Sequence, residues 1–388
     1  MKPGKILVVS MTPTHPPNAG NRIRILGMSR WLMEQGHEVH FLYSDQGWGD
    51  DEGMKAFWGE KFHRVKHEKP KPGTMDRVLG KLRKTLKPDY RYYSGVDDHY
   101  GVRLDAAIDG LKKAHRFDVV LAEYIFLTKA FRRFDGSTLK VIDTHDVMTD
   151  RHVLFLKEGK TPSWYSTTRG QERKAILRSD VVIAIQDREK AYFERLAPGK
   201  RVVSVGHIVP LKGPLNDVPR RKLLFFGSNN PSNIYGILDF LENVFPALKA
   251  GFPGIELVVA GNVCDKIPDG GEGVTKMGEM KDLEKVYELA DIVLNPLTVG
   301  TGLKIKMIEA MGFSKAVIST EVGAEGIEGE GSAYLMVRSK EDYAGQLGRL
   351  FGDVGFYRSV CAGARGRAEA YNRRNSDRLA EIFNGRPS

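Results

Sequence analysis

Short apolar runs alternate with longer stretches of helical spacing along most of this chain. In the first half, five such runs predict buried strands at residues 5–10, 37–43, 118–123, 139–143 and 180–185. Helical spacing around residues 22–35 predicts an amphipathic helix between the first two strands. Strands that alternate with helices are typical of a parallel sheet covered on both faces. We therefore predict a doubly wound α/β domain over residues 1–205.

The same alternation begins again after a proline-containing region, which we interpret as a linker at residues 206–220. Six further strands are predicted at 222–226, 256–260, 273–277, 291–294, 316–320 and 333–336. A second doubly wound domain is thus expected over residues 221–368. Ligands of such folds bind outside the carboxyl ends of the strands, so we expect a ligand-binding cleft between the two domains.

The composition is that of a globular protein, with 41% hydrophobic and 28% charged residues among 388. No apolar run is long enough for a membrane span, and the first one is too short for a signal peptide. Cys264 and Cys361 form neither a metal-binding spacing nor a disulfide framework. These features lead us to expect a cytoplasmic protein.

The net charge of +10 is carried entirely by the first 200 residues. Residues 61–91, called the basic segment below, contribute 11 basic and 3 acidic groups and end in a cluster of tyrosines. Basic groups interleaved with aromatic residues suit an anionic surface such as phospholipid, lipid-linked pyrophosphate or nucleic acid. An ordinary solvated face is the alternative interpretation.

The stretch 295–313 carries the clearest chemistry. A buried strand ends at Pro296, a loop with Gly300 and Gly302 follows, and a helix then begins with Lys304 and Lys306. Backbone N–H groups at a glycine-lined helix start can surround an anion. Two lysines in the first turn have the wrong sign for the helix dipole, and a diphosphate would compensate them. A solvated helix start is the alternative.

Several enzyme classes lack their sequence signatures here. No Gly-x-Gly-x-x-Gly follows the first strand, and no Gly-x-x-x-x-Gly-Lys-Ser/Thr occurs, which argues against dinucleotide oxidoreductases and P-loop enzymes. The acidic groups at 50–52 and 97–98 lie in predicted loops without histidine or cysteine partners. We therefore predict no metal site.

Seven segments together resemble the group 1 (family four) retaining glycosyltransferases of the GT-B fold, of the bacterial polysaccharide type. The resemblance spans roughly residues 4–330 and rests on the order and spacing of its segments. These are residues 15–24, 36–39, 143–146, 172–186, 226–233, 278–296 and 300–326.

The resemblance implies a GT-B fold whose last helix, residues 369–388, returns to the first domain. It also implies transfer of a sugar from a nucleotide-diphosphate donor, with retention and without metal or cofactor. The acceptor would be a glycan or a lipid-linked saccharide in surface polysaccharide or glycoconjugate synthesis. We expect the basic segment to bind the anionic inner face of the plasma membrane, and we expect no nucleic-acid partner.

The same resemblance assigns site residues. His145 would lie beside the donor sugar as the catalytic residue, and Glu309 would accept hydrogen bonds from the ribose. Gly20 would let its loop approach the donor closely. The pyrophosphate would be held by Thr301, Gly302, Leu303, Lys304 and Lys306.

The chain departs from the family pattern at two positions. Thr301 replaces the first acid of the Glu-x7-Glu element, and the loop 227–233 lacks the usual cations. We infer that Lys304 and Lys306 supply the missing positive charge.

Six further residues are candidates. His15 would be the general base if the enzyme inverted, and Glu123 would face the acceptor. Arg24, Asp146, Gly227 and Asn230 lie in the matching segments. Glu172 either supports the site or forms a solvated salt bridge.

Two other functions compete with a transferase. A nucleotide-sugar 2-epimerase could use the same fold but would need no acceptor. A nucleic-acid-binding protein could use the basic segment, although the sequence has no recognisable nucleic-acid motif.

Overall fold

The structure is a computed structural model that describes residues 4–70, 85, 88–157, 161–162, 165–213, 216–269, 271–280, 282–299, 304–327 and 329–384. The chain divides into two compact units. The first comprises Met1–Ile208 and Asn375–Ser388, and the second comprises Val209–Arg374.

The first unit is built around a seven-stranded sheet. Its strands are β1 (Lys5–Ser10), β2 (Glu38–Asp45), β3 (Phe62–Lys66), β4 (Val119–Glu123), β5 (Leu139–Asp143), β6 (Val181–Ala184) and β7 (Arg201–Ser204). Its helices are α1 (Gly20–Glu34), α2 (Asp51–Trp58), α3 (Val102–Ala114), α4 (Arg151–Lys157), α5 (Arg169–Ile176) and α6 (Asp187–Leu196). Shorter 3-10 segments lie at Gly59–Lys61, Pro88–Tyr92 and Ile125–Arg133.

The second unit contains a six-stranded sheet. Its strands are β8 (Lys222–Phe226), β9 (Glu256–Ala260), β10 (Val274–Gly278), β11 (Ile292–Asn295), β12 (Ala316–Thr320) and β13 (Leu335–Val337). Its helices are α7 (Pro231–Asn243), α8 (Phe245–Gly251), α9 (Leu283–Glu288), α10 (Ile305–Gly312), α11 (Asp342–Gly352) and α12 (Val354–Phe383). A 3-10 segment covers Asn262–Lys266.

Every strand pair in both sheets is parallel. The strand order is β3-β2-β1-β4-β5-β6-β7 in the first sheet and β10-β9-β8-β11-β12-β13 in the second. In each sheet the order reverses beside the first strand, at β1/β4 and at β8/β11. Such a reversal opens a crevice at the carboxyl edge, which is where doubly wound folds bind ligands.

The predicted fold class is confirmed. The burial of the central strands explains why their apolar runs predicted them. Residues Ile6, Leu7, Val8 and Val9 of β1 are fully buried, as expected for a strand covered by helices on both faces. Each sheet packs its two faces against separate apolar clusters.

Two strands were missed, and both are the edge strands of the first sheet. β3 and β7 are short and only partly buried, so neither shows the apolar run that a central strand shows. β3 lies inside the basic segment. Other residues of that segment, Lys71, Arg77, Lys81, Arg83, Lys84 and Lys87, lie outside the described residues.

The bounds of the predicted linker and of the predicted returning helix differ from those in the structure. Residues up to Ile208 belong to the first unit and those from Val209 to the second, because side chains of α12 hold this backbone. Asn375 Oδ1 accepts from Gly206 N at 3.0 Å, and Asn372 Nδ2 donates to the Val209 carbonyl at 2.7 Å. α12 begins at Val354 rather than at residue 369.

None of the helices in the described ranges is long and apolar enough to cross a membrane.

Two glycines let the loops after β8 and β9 touch. Gly261 has a φ of +93°, and a Cβ built on it would lie 2.2 Å from the Gly227 carbonyl oxygen. Position 261 therefore requires glycine for two reasons. Its backbone is left-handed, and there is no room for a Cβ beside the Gly227 carbonyl.

We expect Gly261→Ala to lower the free energy of unfolding by at least about 2 kcal/mol, because backbone strain and a steric clash add. Gly254→Ala is the matched control. Gly254 has a φ of +80° and open space around its Cβ position, so it should lose only about 1 kcal/mol. Urea denaturation of both variants measures the difference. Equal losses would show that the close approach at Gly227 costs nothing.

Candidate functional site

A buried ion pair organises the carboxyl edge of the first sheet. Arg24 of α1 donates from Nε and an Nη to the two carboxylate oxygens of Asp143, at 2.7 and 2.9 Å. The same guanidinium donates to the Val205 carbonyl at 2.9 Å. Both side chains are almost completely buried. Arg24 therefore ties α1 to the end of β5 and to the segment after β7, which makes it a structural anchor of this edge.

His145, the predicted catalytic residue, lies two residues beyond β5. Its Nε2 is 2.6 Å from Glu123 Oε2 and 3.7 Å from Asp143 Oδ2. Glu123 ends β4, and β4 and β5 pair with Glu123 opposite Asp143, so the sheet register brings the acid to the histidine. The Glu123 side chain is 1% exposed. The Glu123 carboxylate is thus turned to His145, and the expectation that Glu123 faces the acceptor stays a prediction.

Ring stacking and a hydrogen bond hold His145 and its neighbour Tyr124 in strained backbone conformations. His145 has a φ of 59° and Tyr124 a φ of 65°, conformations that non-glycine residues adopt at a cost of about 1–3 kcal/mol each. The two rings stack with centroids 4.1 Å apart and an interplanar angle of 12°. Asn21 Nδ2 of α1 donates to the Tyr124 hydroxyl at 3.0 Å. Such strain persists only where the surroundings fix the conformation, as they do here.

The buried charges at this edge affect one another's ionisation. Burial raises the pKa of Glu123, and the hydrogen bond to His145 opposes that rise. Burial also works against ionisation of Asp143, but the Arg24 and His145 charges outweigh it and lower the pKa of Asp143. Burial, together with the charges of Arg24 and His145, holds the pKa of His207 well below its ordinary value. His207 is thus a neutral neighbour of the charged network.

Glu123, Asp143 and His145 bring three potential metal-ligating atoms within 4.8 Å of one another. Both oxygens of Asp143 are, however, already bonded to the Arg24 guanidinium. That guanidinium supplies the positive charge that a cation would supply. We therefore interpret this triad as an ion-pair network.

The loop between β1 and α1 carries His15 and Gly20. Burial and the nearby Arg30 lower the pKa of His15, and its Nδ1 lies 3.0 Å from Thr14 Oγ1. Gly20 begins α1, which has no side-chain cap. A Cβ on Gly20 would meet no heavy atom within 4 Å. Packing within the described residues therefore does not require a glycine there.

The loop after His145 is fixed by two acids. Asp146 accepts from Arg151 Nε at 2.7 Å and from the Val147 amide at 2.8 Å. Glu172 is fully buried and accepts from the Met148 amide at 2.7 Å and from the Tyr192 hydroxyl at 2.7 Å. Of the two interpretations of Glu172, the structure agrees with support of this loop and not with a solvated salt bridge.

In the second unit, Lys306 is the most unusual group. It lies in the first turn of α10, is half-buried, and donates from Nζ to Asn233 Oδ1 at 2.8 Å. Its Nζ also lies 4.5 Å from the centroid of the Phe225 ring. No carboxylate lies within ion-pair distance of Lys306 among the residues that the structure describes. Burial, assisted by the charge of Lys304, lowers the pKa of Lys306 to about 7.

Burial also shifts the pKa values of two groups near Lys306, Lys304 and Glu309. Lys304 is the N-cap residue of α10, and burial lowers its pKa, with Glu325 opposing the change. Glu309 lies one turn further along the helix and is buried. Burial raises the pKa of Glu309 to about 7, and a hydrogen bond with Tyr287 opposes the rise. The predicted Thr301, Gly302 and Leu303 lie outside the described residues.

The loop after β8 meets Lys306 through Asn233. Asn230 caps α7 by accepting from the Asn233 amide at 2.9 Å, and Asn233 Nδ2 donates to the Ser228 carbonyl at 2.9 Å. Gly227 lies against Phe225 and Asn233, which leave little room for a side chain. The structure thus brings Lys306 to the cation-free loop. Asn230 caps the helix, and Asn233 holds the lysine.

Several residues that build these sites were not predicted. Tyr124 and Asn21 position His145, His207 adjoins Arg24, and Asn233 positions Lys306. The contacts join residues far apart in the sequence, so no local spacing reveals them. Only the Glu123–His145 contact had a signal, because Glu123 ends β4 and His145 follows the neighbouring strand β5 by two residues.

Comparison with known proteins agrees with this architecture. Residues 220–353 match the family model described as glycosyl transferases group 1. An uncharacterized 44.6 kDa protein in the cps region of Klebsiella pneumoniae is 24% identical over 362 residues, covering 87% of this chain and 88% of the relative.

Solved structures share the fold over nearly the whole chain. TarM of S. aureus has a TM-score of 0.68 at 11% identity, covering 98% of this chain and 99% of TarM. The pneumococcal O-GlcNAc transferase GtfA, solved with UDP and GlcNAc, has a TM-score of 0.65 at 11% identity, covering 99% of each chain. Anabaena HepE, solved with UDP, has a TM-score of 0.61 at 13% identity, covering 97% of this chain and 100% of HepE.

The second unit therefore carries a group 1 glycosyltransferase domain, and the chain has the GT-B fold. The family resemblance and the enzyme class predicted from the sequence are confirmed at this level.

We expect Lys306→Met to stabilise the protein without ligand, by on the order of 1–3 kcal/mol at pH 6.5. The folded pKa of about 7 lies below the ordinary value of 10.5. Lys306 therefore costs stability in full below pH 7, and the cost disappears as the pH approaches 10.5. Urea denaturation of both proteins at pH 6.5 and 9.5 measures the difference. An effect that is equal at both pH values, or a destabilised variant at pH 6.5, would contradict the buried-charge interpretation.

Proposed function

We propose that this protein transfers a sugar from a nucleotide-diphosphate donor to a glycan or lipid-linked acceptor, with retention and without a metal at the reaction. The pathway would build a surface polysaccharide or glycoconjugate. Its relative from a cps region supports that context, and neighbours of the same fold were solved with UDP. The donor is a substrate, so the proposal includes no cofactor.

The observation that carries the proposal is the half-buried ammonium of Lys306. Among the described residues it is compensated only by the Asn233 amide oxygen and the face of the Phe225 ring. A buried cation without a carboxylate is unfavourable unless an anion joins it. Lys306 lies at the start of α10, where the helix dipole and the first amides also favour negative charge. A pyrophosphate supplies that charge.

The other donor contacts extend this assignment. Lys304 adds a second positive group to the pyrophosphate, together with the amides of Thr301, Gly302 and Leu303. Glu309, once ionised, would accept hydrogen bonds from the ribose hydroxyls. In the first unit, the backbone at Gly20 would approach the donor, which fits the open space around that residue.

The proposed mechanism follows from where charge develops during the reaction. Cleavage of the sugar–phosphate bond places negative charge on the leaving diphosphate and positive character on the sugar. Each preorganised donor on that phosphate contributes about 3–4 kcal/mol by analogy with oxyanion sites. The leaving phosphate would accept the acceptor's proton on the same face, which gives retention without a protein nucleophile. His145, fixed by Glu123 and Tyr124, would position the donor sugar.

Binding to a membrane surface is the second part of the proposal. His152 of α4 packs beside the end of the basic segment. Its ring centroid lies 5.4 Å from that of Tyr92 and 4.7 Å from that of Tyr93. The same helix exposes Leu154, at 60% of its surface, and Leu156. Tyrosines, exposed leucines and basic groups form the combination that binds the interface of an anionic bilayer. This would bring the enzyme to a lipid-linked acceptor.

We expect one class of nucleoside diphosphate, and its nucleotide sugar, to raise the melting temperature. At about 100 times its dissociation constant the ligand adds ~2.7 kcal/mol of stability. The double variant Lys304→Ala, Lys306→Ala should lose this response. Lys315→Met is the matched control, because Lys315 is also buried but precedes β12 at the opposite edge of the sheet, and it should respond like the parent protein.

Three outcomes separate the parts of this proposal. No shift with any nucleotide would reject a nucleotide-sugar enzyme. A shift that survives the double variant would move the phosphate contacts away from Lys304 and Lys306. With the nucleotide identified, early 1H NMR spectra of the released sugar report its anomeric configuration. An inverted product, or a rate that rises on adding Mg²⁺ or Mn²⁺, would reject the proposed mechanism.

We expect the protein to sediment with vesicles of anionic phospholipid and not with zwitterionic vesicles. Raising the salt concentration should release it, since each well-placed Lys or Arg contributes only ~1 kcal/mol of screened attraction. Leu154→Ser should weaken sedimentation at all salt concentrations. Binding to both vesicle types, or stronger binding to nucleic acid than to anionic vesicles, would contradict this part of the proposal.

A further inference from the structure

A second polar cluster lies at the amino edge of the first sheet, opposite the candidate site. Glu38 and His40 are two residues apart on β2, so their side chains project from the same face of the strand. His115 follows the last turn of α3 and precedes β4. The three residues bring one potential ligand atom each within 4.8 Å of one another. This group is called the amino-edge triad below.

A positive group already lies among these ligands. Lys5 Nζ is 2.9 Å from Glu38 Oε1 and 3.1 Å from His115 Nδ1. His40 Nε2 lies 2.8 Å from the same Glu38 oxygen. The ammonium of Lys5 thus marks a place where a carboxylate and an imidazole nitrogen converge on one cation. The Lys5 side chain is 26% exposed, so it can turn to solvent and leave that place to another cation.

The ring of His40 is oriented by groups outside the triad. His40 Nδ1 and His63 Nε2 lie 2.9 Å apart, and the two rings stack with an interplanar angle of 4°. Phe117 packs its ring edgewise against His40, with centroids 5.5 Å apart. A hydrogen bond on the second ring nitrogen and a fixed ring plane are what metal-ligating histidines require.

The second sheet provides an internal comparison. Lys5 pairs with Glu38 at the start of β1 and β2, and Lys222 pairs with Glu256 at the start of β8 and β9. The second pair also forms a salt bridge, at 3.0 Å. Two residues after Glu256, however, the strand has Val258 where β2 has His40. A lysine–glutamate pair is therefore ordinary at this position, and the histidines distinguish the first unit.

We propose that the amino-edge triad binds Zn²⁺ or another first-row divalent transition-metal ion. Two imidazoles and one carboxylate are a ligand set that Zn²⁺ uses, and the remaining position would hold water. The ion displaces the Lys5 ammonium and joins β2 to the end of α3. It lies away from the carboxyl edge, so its binding is independent of sugar transfer.

Titration of the tag-free protein with ZnCl₂ in a calorimeter tests this proposal, with Co²⁺ absorption as a second readout of the ligand geometry. We expect one Zn²⁺ per chain, a d–d spectrum of low-symmetry Co²⁺, and no binding of Mg²⁺ or Ca²⁺. Glu38→Gln and His115→Ala should each weaken Zn²⁺ binding about tenfold or more. Lys5→Met should strengthen it, because the competing ammonium is removed.

Glu256→Gln is the matched control, since it breaks the equivalent lysine–glutamate pair in the second sheet and should leave the affinity for Zn²⁺ unchanged. Circular dichroism checks that each variant is folded. The proposal is overturned if Zn²⁺ does not bind. It is equally overturned if binding is insensitive to Glu38→Gln and His115→Ala, or if Lys5→Met weakens it.

Discussion

Parallel strand pairing is the constraint on which the rest of this molecule depends. A parallel pair cannot be closed by a hairpin, so every strand must be followed by a crossover that returns the chain to the amino edge. The segments that leave the strands therefore all gather at the carboxyl edge. In both units the polar residues of the candidate site come from these segments and from the helices that follow them.

The two carboxyl edges balance their buried charges in different ways. In the first unit, Arg24 neutralises Asp143, and Glu123 meets His145, so the network is complete in itself. In the second unit, Lys306 meets only an amide oxygen and an aromatic ring among the described residues. A complete network fixes the positions of its own side chains, whereas a cation without a carboxylate partner can bind an incoming anion. The carboxyl edge of the first sheet therefore positions side chains, and that of the second sheet attracts negative charge.

The sequence predicted the architecture well because the central strands are buried on both faces. β1, β5, β8, β9 and β12 have the bounds that their apolar runs predicted. The edge strands β3 and β7 have one unpaired side and no such run, so the pattern could not reveal them. The site was only partly predictable. Lys306 was recognised by its place at a helix start, but its partner Asn233 lies in another element and follows only from tertiary packing. Glu123 was found by its strand end, yet its orientation toward His145 required the register of β4 and β5.

The last helix has a consequence for how the protein is made. Leu379, Ile382 and Phe383 of α12 pack in the same apolar cluster as Ile6 and Val8 of β1. The first unit is thus assembled from two stretches of sequence, and the whole second unit lies between them in the chain. A ribosome delivers the second unit in full before it delivers these three residues. During synthesis, therefore, the second unit can finish folding while the first still lacks part of its core.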